Sequence, residues 1–324
     1  MNRLYQIQFF VDFQGSASII AEDSPDEGAA SGKSVNNSPY PTSSPAEPVV
    51  LTVAGFDPSG GAGIAADLKT FGAHNCYGVA AITALTVQNT QGVNGVYPIE
   101  SSRLRESIQA LFEDGRICAI KIGMLGDRKN AEVVKEMLTK HSKVPAVLDP
   151  VLRSAGGREL LDAAGSGVLR DHLIGLTSII TPNLYEAAVL TGLQVGNVEE
   201  MKAAAQKLVS MGARAVVVTG GHLEKATDIF FDGANFEIFV GERVKPDHTH
   251  GTGCTFSSAI ASNLALGRQL RDAVVMAKVY VTEAIRKAFP IGPGRIPLHH
   301  LYRMQQAARP ADRSPALSDA EPAH

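Results

Sequence analysis

Two glycines and three small polar side chains lead straight into an apolar helical repeat at His250-Gly251-Thr252-Gly253-Cys254-Thr255. Glycine lets the backbone turn so that successive N–H groups point into one space, and the helix end adds its partial positive charge. Gly251, Thr252 and Gly253 therefore form a candidate anion site, with phosphate the commonest occupant. Cys254 falls in the first helical turn, where the helix end favours a thiolate that could serve as a general base. On these residues alone, a glycine turn before a core helix with an inert cysteine explains the pattern equally well. Four carboxylates sit where other strands and turns end. Asp57 lies in a glycine-rich turn, Asp67 a turn or so into the next helix, Asp149 before Pro150, and Glu186 three residues after Asn183. Asn183 and Glu186 fit a helix cap with its reciprocal acid. A carboxylate at such an edge also suits Mg2+ held partly through water, and Asp149 with Glu186 could hold it.

The elements that position these groups repeat a strand–turn–helix pattern. Residues 49–54 read as a buried strand, 55–63 as a glycine turn, and Ile64, Leu68 and Phe71 as one side of a helix. Gly61, Gly63 and Ala66 match a loose dinucleotide fingerprint, but the next acid after Asp67 is Glu100, too distant to hold a ribose. That spacing argues against a classical NAD site, and a Gly-Lys-Ser/Thr phosphate loop is also absent. Further strands are expected at 79–87, ending in Gln88, and at 118–124, 144–148, 177–181 and 214–219. A short edge strand is expected at 93–99. Helices are expected at 102–112, 131–141 with Asp127 as cap, 198–211 and 270–289. Residues 228–231 and 236–240 flank a hairpin turn. This alternation predicts an α/β fold, a three-layer α/β/α sandwich with a mostly parallel sheet and a small antiparallel part. The lone histidines His222, His248 and His250 receive no catalytic role.

The chain has 324 residues and a net charge of −3, so bulk charge gives no reason to expect nucleic acid or an anionic membrane as partner. Cys76, Cys118 and Cys254 are widely spaced and form no C-x-x-C pair, which fits a reducing cytoplasm rather than a disulfide framework. No apolar run reaches the roughly 20 residues of a membrane span. Residues 1–47 are rich in Ser, Pro and acids and are expected to form a disordered extension. The remainder, 48–306, is expected to be one domain, and 307–324 a second disordered tail.

Seven segments stand in order: AGFDPSGGAGIAADLKTF, ITALTVQNTQGV, KIGML, VLDPV, TPNLYEA, VTGGH and HGTGCTFSSAIA. Together they resemble the hydroxymethylpyrimidine/phosphomethylpyrimidine kinases of thiamine biosynthesis, within the ribokinase-like superfamily. The resemblance implies phosphorylation of 4-amino-5-hydroxymethyl-2-methylpyrimidine, then of its monophosphate, with ATP and Mg2+. It implies a pyrimidine pocket lined by Gln88, Asp67, Met124 and Val151, with Asp57 at the same edge. It places Asn183 and Glu186 at the metal and phosphate, and Gly220 and Gly221 near the nucleotide. Thr219 stands where members often carry a Lys. Cys254 stands where sugar kinases of the superfamily place an Asp base. A homodimer is the expected assembly. Pyridoxal kinase is the rival of the same fold, and a ligand-binding protein without turnover the rival of another class.

Overall fold

The computed structural model describes residues 5–7, 47–221, 223, 225–241, 244–246 and 249–307. His222, His248 and the tail from 308 lie outside them, as does the expected N-terminal extension apart from Tyr5–Ile7 and Glu47. Tyr5–Ile7 (β1) pairs parallel with a strand at residues 236–241, so this short piece of the extension has regular structure.

Val49–Phe56 (β2) sends Val50 to one face of the sheet and Leu51 and Val53 to the other, all fully buried. Burial on both faces explains its unbroken apolar run. Gly63–Ala73 (α1), Tyr77–Asn89 (β3), Gly92–Pro98 (β4) and Ser101–Asp114 (α2) follow. Next come Ile117–Ile122 (β5), Arg128–Lys140 (α3) and Ala146–Leu148 (β6). Asp127 caps α3 by accepting from Asn130 N, as its position predicts. Ala163–Val168 (α4), Ile174–Leu176 (α5), Ile179–Ile180 (β7) and Leu184–Thr191 (α6) lead to Val198–Ser210 (α7). Val216–Gly220 (β8), Ala226–Phe231 (β9) and Phe236–Gly241 (β10) close the sheet. Thr249–His250 (β11), Thr252–Ala265 (α8), Leu270–Arg286 (α9), Ile296–Pro297 (β12) and Tyr302–Ala307 (α10) complete the order.

The strands join as β1-β10-β9-β8-β7-β6-β5-β2-β3-β4. From β8 through to β3 neighbours are parallel, while β4 runs antiparallel to β3, and β9 runs antiparallel to both β8 and β10. One core lies under α2, α3, α6 and α7, around Leu104, Val134, Leu190 and Leu208. The other lies under α1, α8 and α9, around Phe71, Ile260 and Tyr280. Each large side chain so buried contributes roughly 1.5–3 kcal/mol. The result is the expected α/β/α sandwich. All parallel strands deliver their carboxyl ends to one edge, where α/β sheets bind ligands. Asp57, Gly123-Met124, Asp149 and Asn183 follow those ends, and Gly220 is the last residue of β8.

The β11–β12 pair carries too short a pattern to be expected from sequence. It ties Thr249 and His250 to Ile296 and Pro297. Just before β12, the backbone N–H groups of Gly294 and Arg295 donate to Thr90 Oγ1 (3.2 Å) and O (2.7 Å). The segment at 294–297 thus joins the end of the β3–β4 hairpin to the start of the glycine loop.

Candidate active site

Gly251 caps α8 with φ 87°, a left-handed conformation that favours glycine. A Cβ there would lie 1.8 Å from Gly61 O, so the turn at 60–63 and the loop at 250–253 meet backbone to backbone. Thr252 Oγ1 shares a hydrogen bond with Thr249 Oγ1 at 3.0 Å. Gly253 is exposed, and a Cβ on it would sit 3.8 Å from both Asp149 carboxylate oxygens. The N-terminal amides of a helix have no intrahelical acceptor. Here they open next to a buried carboxylate at the ligand edge.

Cys254 does not behave as the helix end alone predicts. Burial pushes its thiol up to about 12; the Lys121 charge opposes this, and the charges of Asp149 and Asp67 add to it. The side chain keeps partial exposure, yet two carboxylates and the surrounding protein outweigh the helix field. Gly63 N–H at the start of α1 and the Asp149 carboxylate are its hydrogen-bonding neighbours. Cys254 is therefore a neutral thiol, which corrects the thiolate expectation. Iodoacetamide at pH 8 should accordingly label Cys254 slowly. Its thiolate fraction would be on the order of 10³ lower than that of a free thiol near 8.5. Half-exposed Cys118 provides a reference within the chain, and equal labelling rates read by peptide mass spectrometry would refute the neutral thiol.

Asp67 lies beneath the site rather than in it. It is fully buried and accepts from Thr52 Oγ1 (2.6 Å), Ser258 Oγ (2.6 Å) and Lys121 Nζ (3.0 Å). Its oxygens are spent on protein, which corrects the expectation that it lines the pyrimidine pocket. Lys121 is also fully buried. Burial disfavours its charge, but Asp67, Cys254 and Asp149 hold its pKa above the usual amine value. The sequence carried a signal for this residue: a Lys inside the apolar strand CAIKIG needs a buried acid.

Asp149 follows β6, almost fully buried, with Ser257 Oγ 3.3 Å from Oδ2. Burial raises its pKa, Lys121 opposes that, and Asp67 adds to it. Glu186, also buried, is pushed up to about 8 by burial first and then by the Asp149 charge. Asn183 Oδ1 accepts from Glu186 N and Glu186 Oε2 accepts from Asn183 N, both at 2.9 Å, so the reciprocal cap forms. Two buried carboxylates that raise the energy of each other's charge suit a hard cation. Among the described residues no group of three or more His, Cys, Asp or Glu is arranged to hold a metal. The donor set therefore fits an ion that keeps waters and takes phosphate oxygens as its other ligands.

The nucleotide-side residues divide. Thr219 bridges Asn183 in the backbone, and its hydroxyl lies 3.5 Å from Pro182 O. Gly220 is buried; a Cβ would meet Thr227 O at 2.3 Å, and its N–H donates to Asp228 Oδ1 at 3.0 Å. Packing against β9 thus accounts for Gly220, which corrects its reading as a nucleotide contact. Gly221 is exposed, with open space where a Cβ would project.

At the other end, Met124 and the partly buried Val151 share a small apolar cluster with Ala84 and Leu160. Met124 Sδ would lie 2.8 Å from a Cβ on Gly55, so this wall presses on the turn after β2. Asp57 is buried and accepts from Ser59 N (2.8 Å), Ser59 Oγ (2.7 Å) and Ala62 N (2.9 Å), with His250 Nε2 at 2.8 Å. Burial opposes its ionisation, but bonds from His250 and Ser59 prevail and its pKa falls below the ordinary value. Asp57 organises the glycine turn, which corrects its reading as a substrate ligand. His250, given no role from sequence, also reaches Gln88, whose amide Nε2 lies 2.9 Å from its Nε2.

The phosphomethylpyrimidine kinase family model matches residues 57–299, a span that runs from Asp57 past the glycine loop to β12. The chain is 43% identical over 265 residues to the thiamine biosynthesis bifunctional protein ThiED of Geobacter sulfurreducens, covering 81% of this chain and 53% of that longer protein. It is 44% identical over 248 residues to the hydroxymethylpyrimidine/phosphomethylpyrimidine kinase of Aquifex aeolicus, covering 76% of this chain and 97% of the relative. Among solved structures, an ADP complex of Bacillus subtilis pyridoxal kinase superposes with a TM-score of 0.74 at 34% identity, covering 80% of this chain and all of that one. The family match takes in more than half of the chain and every strand end that bears a site residue, so the chain belongs to the phosphomethylpyrimidine kinase family.

Proposed function

We propose that this chain transfers the γ-phosphoryl group of ATP to 4-amino-5-hydroxymethyl-2-methylpyrimidine, and then a second phosphoryl group to the monophosphate, supplying thiamine biosynthesis. The observation that carries this reading is the anion loop of α8 opening beside Asp149 at the sheet edge that Gln88 also reaches. The Aquifex relative, aligned over nearly its whole length, supports the same substrate. In the first step the hydroxymethyl oxygen attacks the γ-phosphorus, the bond to the β-phosphate oxygen breaks, and ADP leaves. The hydroxyl proton passes to Asp149, the ionisable group beside the loop that is not a neutral thiol. Gly251, Thr252 and Gly253 offer backbone donors to the charge on the transferring group, the largest effect such a site can supply. Cys254 closes the wall behind them as a donor to Asp149. Asn183, Thr219 and Gly221 border the nucleotide. Glu186 would hold Mg2+ through water, which when bound neutralises charge on the β- and γ-phosphates and leaves Asp149 free to accept the proton.

Gln88 decides between pyrimidine and pyridoxal, the substrate in the name of the Bacillus neighbour. A 4-aminopyrimidine edge offers one donor and one ring-nitrogen acceptor, which a single side-chain amide meets together. Gln88→Leu should raise KM for hydroxymethylpyrimidine by about one to two orders of magnitude, from an unpaired buried edge costing roughly 1–3 kcal/mol. Pyridoxal should lose less. Wild-type preference for pyridoxal in the same assay would overturn the substrate, and absence of ATP turnover with either would favour a binding protein. As for partners, Leu85, Val87 and Tyr97 are exposed on β3 and β4, which supports a homodimer across that edge. Among the described residues no helix is long and apolar enough to cross a membrane, in keeping with a cytoplasmic enzyme.

A further inference from the structure

His250 is the side chain through which the glycine loop touches both Asp57 and Gln88, and its hydrogen-bond logic has one consistent solution. A ring nitrogen carries at most one proton. The Asp57 carboxylate accepts only, so the Nε2 proton of His250 points toward Asp57 Oδ2, 2.8 Å away. An amide N–H facing the same nitrogen at 2.9 Å would then set donor against donor. Turning the Gln88 amide by a half-rotation, an assignment that rests on the network rather than on atom positions, removes the conflict. The amide oxygen then shares the His250 proton. The amide NH2 faces Thr86 Oγ1 across 3.3 Å. Thr86 spends its own proton on Phe56 O at 3.0 Å and can accept. Each of these four contacts then pairs a donor with an acceptor, and the oxygen of Gln88 is held by His250.

That oxygen is the one a 4-amino group needs. The backbone of His250 is fixed by pairing with Pro297, and the residue immediately precedes Gly251, which abuts Gly61 O. We propose that His250 is a positioning residue that couples pyrimidine recognition to the phosphate loop. The substrate amino group displaces it from Gln88, and its proton then belongs to Asp57 alone. That bond holds the turn at 60–63 against the loop at 250–253 for phosphoryl transfer. The inference rests on Gln88 meeting the pyrimidine edge.

The test is calorimetric titration of 4-amino-5-hydroxymethyl-2-methylpyrimidine, without nucleotide, into wild type, His250→Ala, Gln88→Leu and the double variant, with kcat measured on each. His250→Ala removes a competitor for the Gln88 oxygen, so Kd should tighten by about 3–10-fold, the size of one modest hydrogen bond. The same variant loosens the loop, so kcat should fall at least about tenfold. A merely structural histidine would weaken binding and turnover together, and that outcome overturns the proposal. In the Gln88→Leu background the tightening should vanish. Gln88→Leu with wild-type Kd would overturn the reading of Gln88 itself. A weakened Gln88→Leu beside a His250→Ala that binds no tighter would overturn this inference alone. His250→Gln, which keeps an N–H for Asp57, provides the check should the Ala variant fold poorly. It should hold kcat within about threefold of wild type, since a charge-assisted bond is retained, and a Gln variant as slow as Ala overturns the proposal.

Discussion

Asp149→Asn is expected to lower kcat by about 10²–10⁴-fold, the span of a lost general base. Asn matches Asp in shape and can still accept from Ser257 Oγ, which lies 3.3 Å from Oδ2. What it cannot do is take a proton or carry charge beside the loop of α8. Stability should move the other way or not at all. The carboxylate is almost fully buried, and burial is the largest influence on its raised pKa, ahead of the opposing Lys121 charge. A neutral amide avoids that desolvation cost. The variant should therefore melt no lower than wild type while turning over far more slowly, which separates chemistry from folding. Cys254→Ala is the companion measurement, because a thiol raised to about 12 makes a poor base at neutral pH. An Asp149→Asn variant within tenfold of wild type, next to a Cys254→Ala variant that is nearly dead, would reverse the two roles.

The fold and the strand-end residues were legible because their signals are local. Buried parallel strands give apolar runs, and punctuation such as Asp149-Pro150 or Pro182-Asn183 marks where each run reaches the ligand edge. Asp127 and Asn183 announce themselves as caps for the same reason. What stayed hidden depends on partners far apart in sequence. The Cys254 thiol feels Asp149 and Asp67, which belong to a strand end and a helix more than a hundred residues earlier, whereas the helix end that favours its thiolate adjoins it. Asp57 and Asp67 sit at the ligand edge in sequence terms, but their oxygens face Ser59, His250, Thr52, Ser258 and Lys121 instead. His250 offers no pattern by itself; its meaning comes from Gln88, 162 residues away.

Those hidden partners set the largest effect on stability, expected for Lys121→Met. Met fills much of the space of the Lys stem within β5 but leaves the Asp67 carboxylate fully buried without its counter-ion, previously at 3.0 Å. Removing one member of a buried pair costs about 3–5 kcal/mol, because the remaining charge keeps its desolvation penalty and loses its compensation. Thr52 and Ser258 still donate to Asp67, so the loss should lie toward the lower end. For a domain of this size each kcal/mol shifts Tm by roughly 2–4 °C, which places the expected fall at about 6–15 °C. Adding Asp67→Asn should recover most of it, since no unpaired charge is then left and the amide keeps an acceptor for Thr52 or Ser258. The cycle of four melting curves is therefore non-additive by design, the double variant standing well above Lys121→Met alone. Simple additivity, or a Lys121→Met variant that melts within about 2 °C of wild type, would mean that Asp67 is neutral in the folded protein and that the pair beneath the phosphate loop is not an ion pair.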